Sequence, residues 1–287
     1  MQDTQLTLLA SYQKDDGTPK NPFKLAYGTL EDTPYGKVDP ETNYGASDYD
    51  KDEHTQFGIG YEFQHQLDDT WKFEQNFRYS HLDLDLRSTY LMSSLNEGST
   101  RLADRGHLQR DGEIDSFTID NRMVGKWYTE RMENTLLFGV DYQDLSLDGK
   151  EYDNYTYDTV DIFNPDTTAT PVPDSQLIGR QIDKQQLGVY VQDQLRIDDR
   201  WVLLGSVRHD SADVKNTNQD TDVTVDETQS ETSFSGGLMY LGDNGVSPYL
   251  SYTESFRPQA QTDAQGAVFE EIEGKQWEAG VKYAPSS

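Results

Sequence analysis

Cysteine is absent from the 287 residues, which excludes disulfides and thiolate metal sites. Basic residues are scarce: 24 Lys and Arg stand against 52 Asp and Glu, a formal net charge of −28. Nucleic acid is therefore an unlikely partner, because phosphate binding needs clustered Lys and Arg. No apolar run approaches the roughly 18 residues of a transmembrane helix. Residues 1–20 lack a basic region followed by an apolar core, so no signal peptide is read there. For an exported protein, that leads us to expect a mature chain or an internal piece. Hydrophobic residues make up only 34%, and the mean hydropathy is −0.84. Alone, those values would suit a disordered acidic chain. The aromatic content of 11% contradicts that and requires a fold that uses its apolar residues sparingly.

The apolar residues recur with a period of two. Phe57, Ile59, Tyr61 and Phe63 alternate with Gly58, Gly60, Glu62 and Gln64. Trp71, Phe73, Phe77 and Tyr79 alternate with Lys72, Glu74, Asn76 and Arg78. Leu136, Phe138, Val140 and Tyr142, then Leu187, Val189 and Val191, and near the end Trp277, Ala279, Val281 and Tyr283 repeat the pattern. Such alternation marks strands with one apolar and one polar face. Ten segments show it, at about 4–13, 55–67, 71–85, 114–128, 134–147, 184–197, 201–213, 231–241, 246–256 and 275–284.

Their connections alternate between short and long. Asp68-Asp69-Thr70, residues 129–133, Asp198-Asp199-Arg200 and Gly242-Asp243-Asn244-Gly245 are short and rich in turn formers. Residues 14–54, 86–113, 148–183, 214–230 and 257–274 are expected to be long loops, with the acidic stretch at 214–230 a mobile surface loop. In an up-and-down antiparallel sheet, every second connection lies at the same end. One tight end and one decorated end is the layout of an all-β, antiparallel transmembrane β-barrel, with short periplasmic turns and long extracellular loops. Trp71, Trp127 and Trp201 beside the short turns suit an aromatic girdle at the interface.

Gln186-Leu187-Gly188-Val189-Tyr190-Val191-Gln192-Asp193-Gln194, a short turn, then Leu203-Leu204-Gly205-Ser206-Val207-Arg208-His209-Asp210 resembles the barrel signature of TonB-dependent siderophore receptors. Gly245-Val246-Ser247-Pro248-Tyr249-Leu250-Ser251-Tyr252-Thr253-Glu254-Ser255-Phe256-Arg257-Pro258 and Gly274-Lys275-Gln276-Trp277-Glu278-Ala279-Gly280-Val281-Lys282-Tyr283 resemble it too. So do Thr135-Leu136-Leu137-Phe138-Gly139-Val140-Asp141-Tyr142 and Ile162-Phe163-Asn164-Pro165, in the same order as in the family. The likeness spans residues 1–287 and is greatest to the ferrichrome-type hydroxamate receptors. It implies about ten strands of a larger barrel whose lumen a plug fills. No plug domain or TonB-contact segment is read here, and the chain stops at Ala284-Pro285-Ser286-Ser287, inside what the pattern makes another short turn. The expectation is a partial barrel domain with exposed, aggregation-prone edges.

No catalytic constellation stands out, and an enzyme is not expected. The five His residues lack metal-ligand spacing, and Asp111, Glu113 and Asp115 lack the glycine and flanking helices of a calcium loop. Neither a metal nor a cofactor is expected. The resemblance implies a ferric siderophore as ligand, held by loop aromatics that offer rigid faces with polar tips. It places Phe23, Tyr90, Tyr152 and Tyr155 at pocket positions, with Met92 and Asp153 where the family carries aromatics. The plainer reading is that these tyrosines only pack their own loops. The implied partners are outer-membrane lipid and lipopolysaccharide, and a TonB complex reached only through the missing plug. The implied place is the outer membrane of a Gram-negative bacterium. A passive porin-like or adhesin-like barrel is the alternative.

Overall fold

The computed structural model describes residues 3–21, 23–263 and 265–284, leaving aside the side chains of residues 156 and 157. Ten strands form a single antiparallel sheet in strictly sequential order. They are β1 Thr4–Gly17, β2 Lys51–Gln66, β3 Trp71–Leu95, β4 Leu102–Tyr128, β5 Met132–Asp161, β6 Ile178–Ile197, β7 Trp201–Asn218, β8 Val223–Tyr240, β9 Val246–Arg257 and β10 Ile272–Tyr283. The described helix is a single three-residue 3₁₀ turn, Asp174–Gln176. Among the described residues β1 pairs only with β2 and β10 only with β9, so the sheet has two open edges. The turn expected at 284–287 lies outside the described residues apart from Ala284.

Register carries the alternation across the whole sheet. Leu8, Tyr61, Phe77, Ile119, Tyr142 and Leu187 stand opposite one another from β1 to β6 and share one face. Val207, Phe234, Leu238, Leu250, Ala279 and Val281 continue it from β7 to β10. The other face carries Glu62, Arg78, Asp120, Asp141, Arg208 and Ser233. Both faces therefore match the alternation read from the sequence.

The apolar face has sharp limits. At the tight end, Trp71 meets Trp127 edge-on at 5.3 Å and Trp201 lies 4.8 Å from Tyr240. At the far end, Phe57 lies 6.0 Å from Tyr79 and 5.3 Å from His81, and Phe117 lies 6.2 Å from Tyr142. Ten residues of tilted strand separate Trp71 from His81, which is about 25 Å of height, the depth of a bilayer's apolar band. Immediately beyond, the same face turns acidic: Asp83, Glu113 and Asp148 stand opposite one another.

Three of the five expected long loops, 86–113, 148–183 and 214–230, are mostly strand. Residues 86–91 pair with 105–110, and 148–151 with 178–181. The acidic stretch 214–230 is a hairpin that turns at residues 219–222, with Lys215 opposite Asp226. Asp111, Glu113 and Asp115 lie along β4 and not in a loop. Past His81 the alternation first inverts, with Leu82, Leu84 and Leu86 on the polar-side face, and then lapses where the 18–50 and 162–177 loops cover the strands, while backbone pairing continues. True long loops remain at 18–50, 162–177 and 258–271.

The short turns are built as their residues suggest. The Asp68 carboxylate accepts the backbone N–H of Thr70 and of Trp71, both at 2.8 Å. Those two bonds hold it below the ordinary aspartate range. Asp198 and Asp199 adopt the left-handed conformation, and the Arg131 guanidinium from the neighbouring turn grips Asp198 at 2.6 and 2.7 Å.

Candidate functional site

The far ends of β3, β4 and β5 form a platform with two different faces. On one, the loops at 18–50 and 162–177 build a small apolar core. Leu25, Val38 and Tyr44 pack with Leu91, Ala103, Val160 and Ile162, and Ala46 and Tyr49 pack with Val172 and Leu177. Polar clasps complete it. The Asp50 carboxylate accepts the Thr89 N–H at 2.7 Å and the Thr89 hydroxyl at 2.9 Å, and that hydroxyl accepts the Ala46 N–H at 2.7 Å. Arg105, 3% exposed, forks onto Asp158 at 2.8 and 2.7 Å and donates to the carbonyls of Asp166 and Thr168. His107 lies between the Tyr49 ring and Asp158, and burial pushes its pKa down, which favours neutral imidazole. Burial likewise raises Asp50, against the Thr89 bonds that lower it. A loop fixed by buried polar bonds gives the platform a rigid backing.

The opposite face carries the polar-side alternates. The Tyr90 ring lies flat over Gly106, where a Cβ would come within 2.7 Å of the ring. The Tyr90 hydroxyl donates to Asp153 Oδ1 at 3.3 Å. Burial, the Asp153 charge and the Tyr155 hydroxyl push the Tyr90 pKa up to about 12. The phenol therefore stays protonated, and the two tyrosines share one electrostatic neighbourhood. Arg110 stands 3.8 Å from Asp153 and 3.8 Å from Glu151, and Arg180 pairs with Glu151. Deeper along the same strands, Leu84, Ile114, Leu147 and Ile182 surround Gly112 and Gly149 in a cavity of about 220 Å³. Apolar walls with a few convergent polar groups are the ordinary form of a small-molecule pocket.

The structure thus sets the Tyr90 hydroxyl on Asp153, while Tyr155 lies in the irregular stretch of β5 between Asn154 and Asp158, 59% exposed. Tyr152 lies on the other face, opposite Gln109, and packs against the loop core of Ala46, Tyr49, Val172 and Leu177. Phe23 sits on the 18–50 loop, 65% exposed. Arg110, Glu151 and Arg180 were missed by sequence reading. Strand parity could have found Glu151, which is two residues from Asp153 and shares its face, whereas Tyr152 is out of step.

Lower on the polar face, a second network spans four strands. The Tyr190 hydroxyl donates to Asp120 at 2.7 Å and accepts from Arg122 at 3.2 Å. Arg208 forks onto Asp141 at 2.5 and 2.9 Å and onto Asp210 at 2.7 Å, with its guanidinium 5.2 Å from the Tyr190 ring. Both side chains cross a strand over a glycine, Tyr190 over Gly139 and Arg208 over Gly188. Gly60 is similarly closed, since a Cβ there would meet the Phe77 carbonyl at 2.5 Å.

With this geometry in hand, comparison with known proteins is specific. The family profile described as TonB dependent receptor-like, β-barrel, matches residues 2–287. The ferrioxamine B receptor of Salmonella typhimurium is 34% identical over 283 residues, which is 98% of this chain and 40% of that protein. The ferrichrome outer membrane transporter/phage receptor of Escherichia coli K12 is 33% identical, covering 98% of this chain and 41% of that one. This chain therefore spans about two-fifths of the length of these curated relatives. Among solved structures, the siderophore receptor PiuA from Acinetobacter baumannii superposes with a TM-score of 0.79 at 18% identity, over 98% of this chain and 45% of that one. The ferric-catecholate import receptor Fiu from E. coli gives 0.78 at 18% identity, over 98% and 46%.

Proposed function

The chain belongs to the TonB-dependent receptor β-barrel family, and from that premise we propose that it forms wall and mouth of a receptor for ferric siderophores of the hydroxamate type. Proteins of this family reside in the outer membrane of Gram-negative bacteria, and its relatives here are transporters and receptors, not enzymes. The observation that carries the reading is the Tyr90–Asp153 pair, on the polar face above the bilayer band and backed by a rigid loop core. Rigid aromatic faces with polar tips suit a compact iron complex with both apolar and polar surface.

The polar face would line the lumen, and the Asp120–Arg122–Tyr190 and Arg208–Asp141–Asp210 networks would meet a plug domain there. Energised coupling would act through that plug. The apolar face would meet lipid. Like charges directly opposite one another destabilise a sheet, so the Asp83–Glu113–Asp148 row calls for counter-ions. Divalent cations bridging it to lipopolysaccharide phosphates would supply them.

Titrating ferric hydroxamates against the tryptophan fluorescence of the intact protein tests the reading. Saturable quenching supports it; bilayer conductance without any binding would replace it with a passive pore. Gly106→Ala is expected to weaken binding about tenfold or more, because the added methyl evicts the Tyr90 ring from its seat. Unchanged affinity in that variant would remove Tyr90 from the pocket. Because the Tyr90 phenol titrates near 12, its contribution should be constant between about pH 6 and pH 9.

Orientation has its own test. Trypsin added to intact cells should cut at Lys37, which lies in the 18–50 loop and is half exposed. It should spare Arg131 and Arg200 in the short turns. Lys150 and Lys215 lie in paired strands and should be cut slowly. Cleavage at Arg200 with membranes intact would invert the topology.

A further inference from the structure

We infer that the apolar face at β4 is a docking surface for a second copy of this chain, with Asn121 beside the two-fold axis of the pair. The surface belongs to the barrel wall and is independent of the ligand taken at the mouth.

On β3 and β4 this face is aromatic and aliphatic between the girdle and Tyr79, except for two amides, Gln75 and Asn121, which stand opposite one another. Asn121 lies six residues along β4 from Trp127, about 15 Å above the girdle and inside the apolar band. The Tyr61 hydroxyl donates to Gln75 Oε1 at 2.7 Å, and Gln75 Nε2 donates to Asn121 Oδ1 at 2.6 Å. That relay ends at Asn121, because among the described residues nothing accepts from its Nδ2. A lipid tail has no acceptor to offer. Polar groups at this depth are satisfied by protein, and Asn and Gln bond across the interfaces of membrane proteins.

The two sides of β4 differ in relief. Toward β2, the Tyr61 ring stacks on Phe77 at 5.4 Å and Phe63 lies 6.3 Å from Phe73, a row of bulky rings. Toward β7, Met123, Phe138, Val140, Val189 and Val207 line a groove of about 550 Å³. Copies of one barrel enter the membrane in the same direction and to the same depth. The two-fold axis of a pair therefore runs along the membrane normal and sets a residue beside it against its own image. A carboxylate or an ammonium would repel that image. A carboxamide carries donors and an acceptor, so Asn121 bonds its image through Nδ2 and the second lone pair of Oδ1. The same axis exchanges the two sides of β4 and lays the rings of each copy along the groove of the other. A lipid chain would fill the groove and leave the amide unanswered. A second copy presents the matching amide at the matching depth by identity.

The test uses the intact protein in lipid vesicles. This chain holds no cysteine, so in a cysteine-free background single introduced ones report contacts. Met123→Cys, two residues from Asn121 on the same face, is expected to give a disulfide-linked dimer on mild oxidation, and Val207→Cys on β7 to give about tenfold less. Energy transfer between labelled copies should exceed random crowding and fall as lipid is added, when the copies separate and the face meets lipid. Asn121→Leu, which keeps the face apolar, should raise the dissociation constant about tenfold, and Asn121→Gln should restore part of the loss. Val140→Phe should weaken the pair by filling the groove without touching the amide. Transfer no greater than random crowding at every dilution would overturn the inference and assign the groove to a lipid chain. Equal linkage through Met123→Cys and Val207→Cys would overturn it by showing collisions without an axis, and association unchanged by Asn121→Leu would overturn the role of the amide. None of these outcomes bears on hydroxamate binding, which the fluorescence titration decides separately.

Discussion

Val189→Arg in the intact protein is expected to lower the folding free energy in lipid vesicles by about 1–3 kcal/mol, while Gln192→Arg costs less than about 1 kcal/mol. Val189 lies on the apolar face, opposite Val140 on β5 and His209 on β7. Its partner His209 lies eight residues beyond Trp201, about 20 Å above the tryptophan girdle and within the apolar band. An ionised guanidinium there loses its water, and the wall offers only a neighbouring imidazole and an amide. Gln192 stands on the other face with Gly188 and Tyr190, where an arginine meets water. Gly188 itself is unsuitable as the polar-face control, because Arg208 already fills the space above it. Gly60 is unsuitable as well, because its missing side chain makes room for the Phe77 carbonyl. Equal costs for Val189→Arg and Gln192→Arg in vesicles would mean that the apolar face does not contact lipid. A larger cost at Gln192 would mean that the faces are inverted.

The same contrast explains what could be read in advance. Between Trp71 and Tyr79, β3 has hydrocarbon on one side and water on the other, so its sequence must alternate, and the ten strands were legible wherever that condition holds. After His81 the alternation inverts: Leu82, Leu84 and Leu86 take the other face while Asp83, Asp85 and Arg87 replace the aromatics, and farther out it lapses although pairing with β4 continues. For this reason the acidic stretch 214–230 read as a loop and is a hairpin. Tyr90 and Tyr155 came from a family likeness, and the structure sets the Tyr90 hydroxyl on Asp153. Tyr152 came from the same likeness, and its pairing opposite Gln109 turns it to the face that packs on the loop core. The Asp50–Thr89 clasp and the Arg105–Asp158 pair join residues 39 and 53 positions apart. No local pattern announces such pairs.

Arg208→Met should destabilise the intact protein by about 2–4 kcal/mol, and Gly188→Ala should reproduce much of that loss without touching a charge. Arg208 is the common partner of Asp141 and Asp210, and Asp210 is only 4% exposed. Removing the guanidinium leaves both carboxylates on the inner wall without their cation, though Gln186 still donates to Asp210 at 2.9 Å. Loss of one partner from a buried ion pair costs more than the pair contributes, because the remaining charge stays desolvated. The third of Arg208 that is exposed tempers the figure below that of a fully buried pair. Gly188 enters because the Arg208 side chain crosses β6 over it, and a Cβ there would lie 2.0 Å from Nη2. An alanine therefore blocks the route from β7 to Asp141 on β5. If one interaction underlies both losses, the double variant Gly188→Ala/Arg208→Met should be little worse than Arg208→Met alone, whereas independent effects would add. Asp141→Asn combined with Arg208→Met should recover part of the stability by removing one stranded charge. Additive losses in the first pair, with no recovery in the second, would show that this arginine bridges nothing and that Gly188 is required for some other reason.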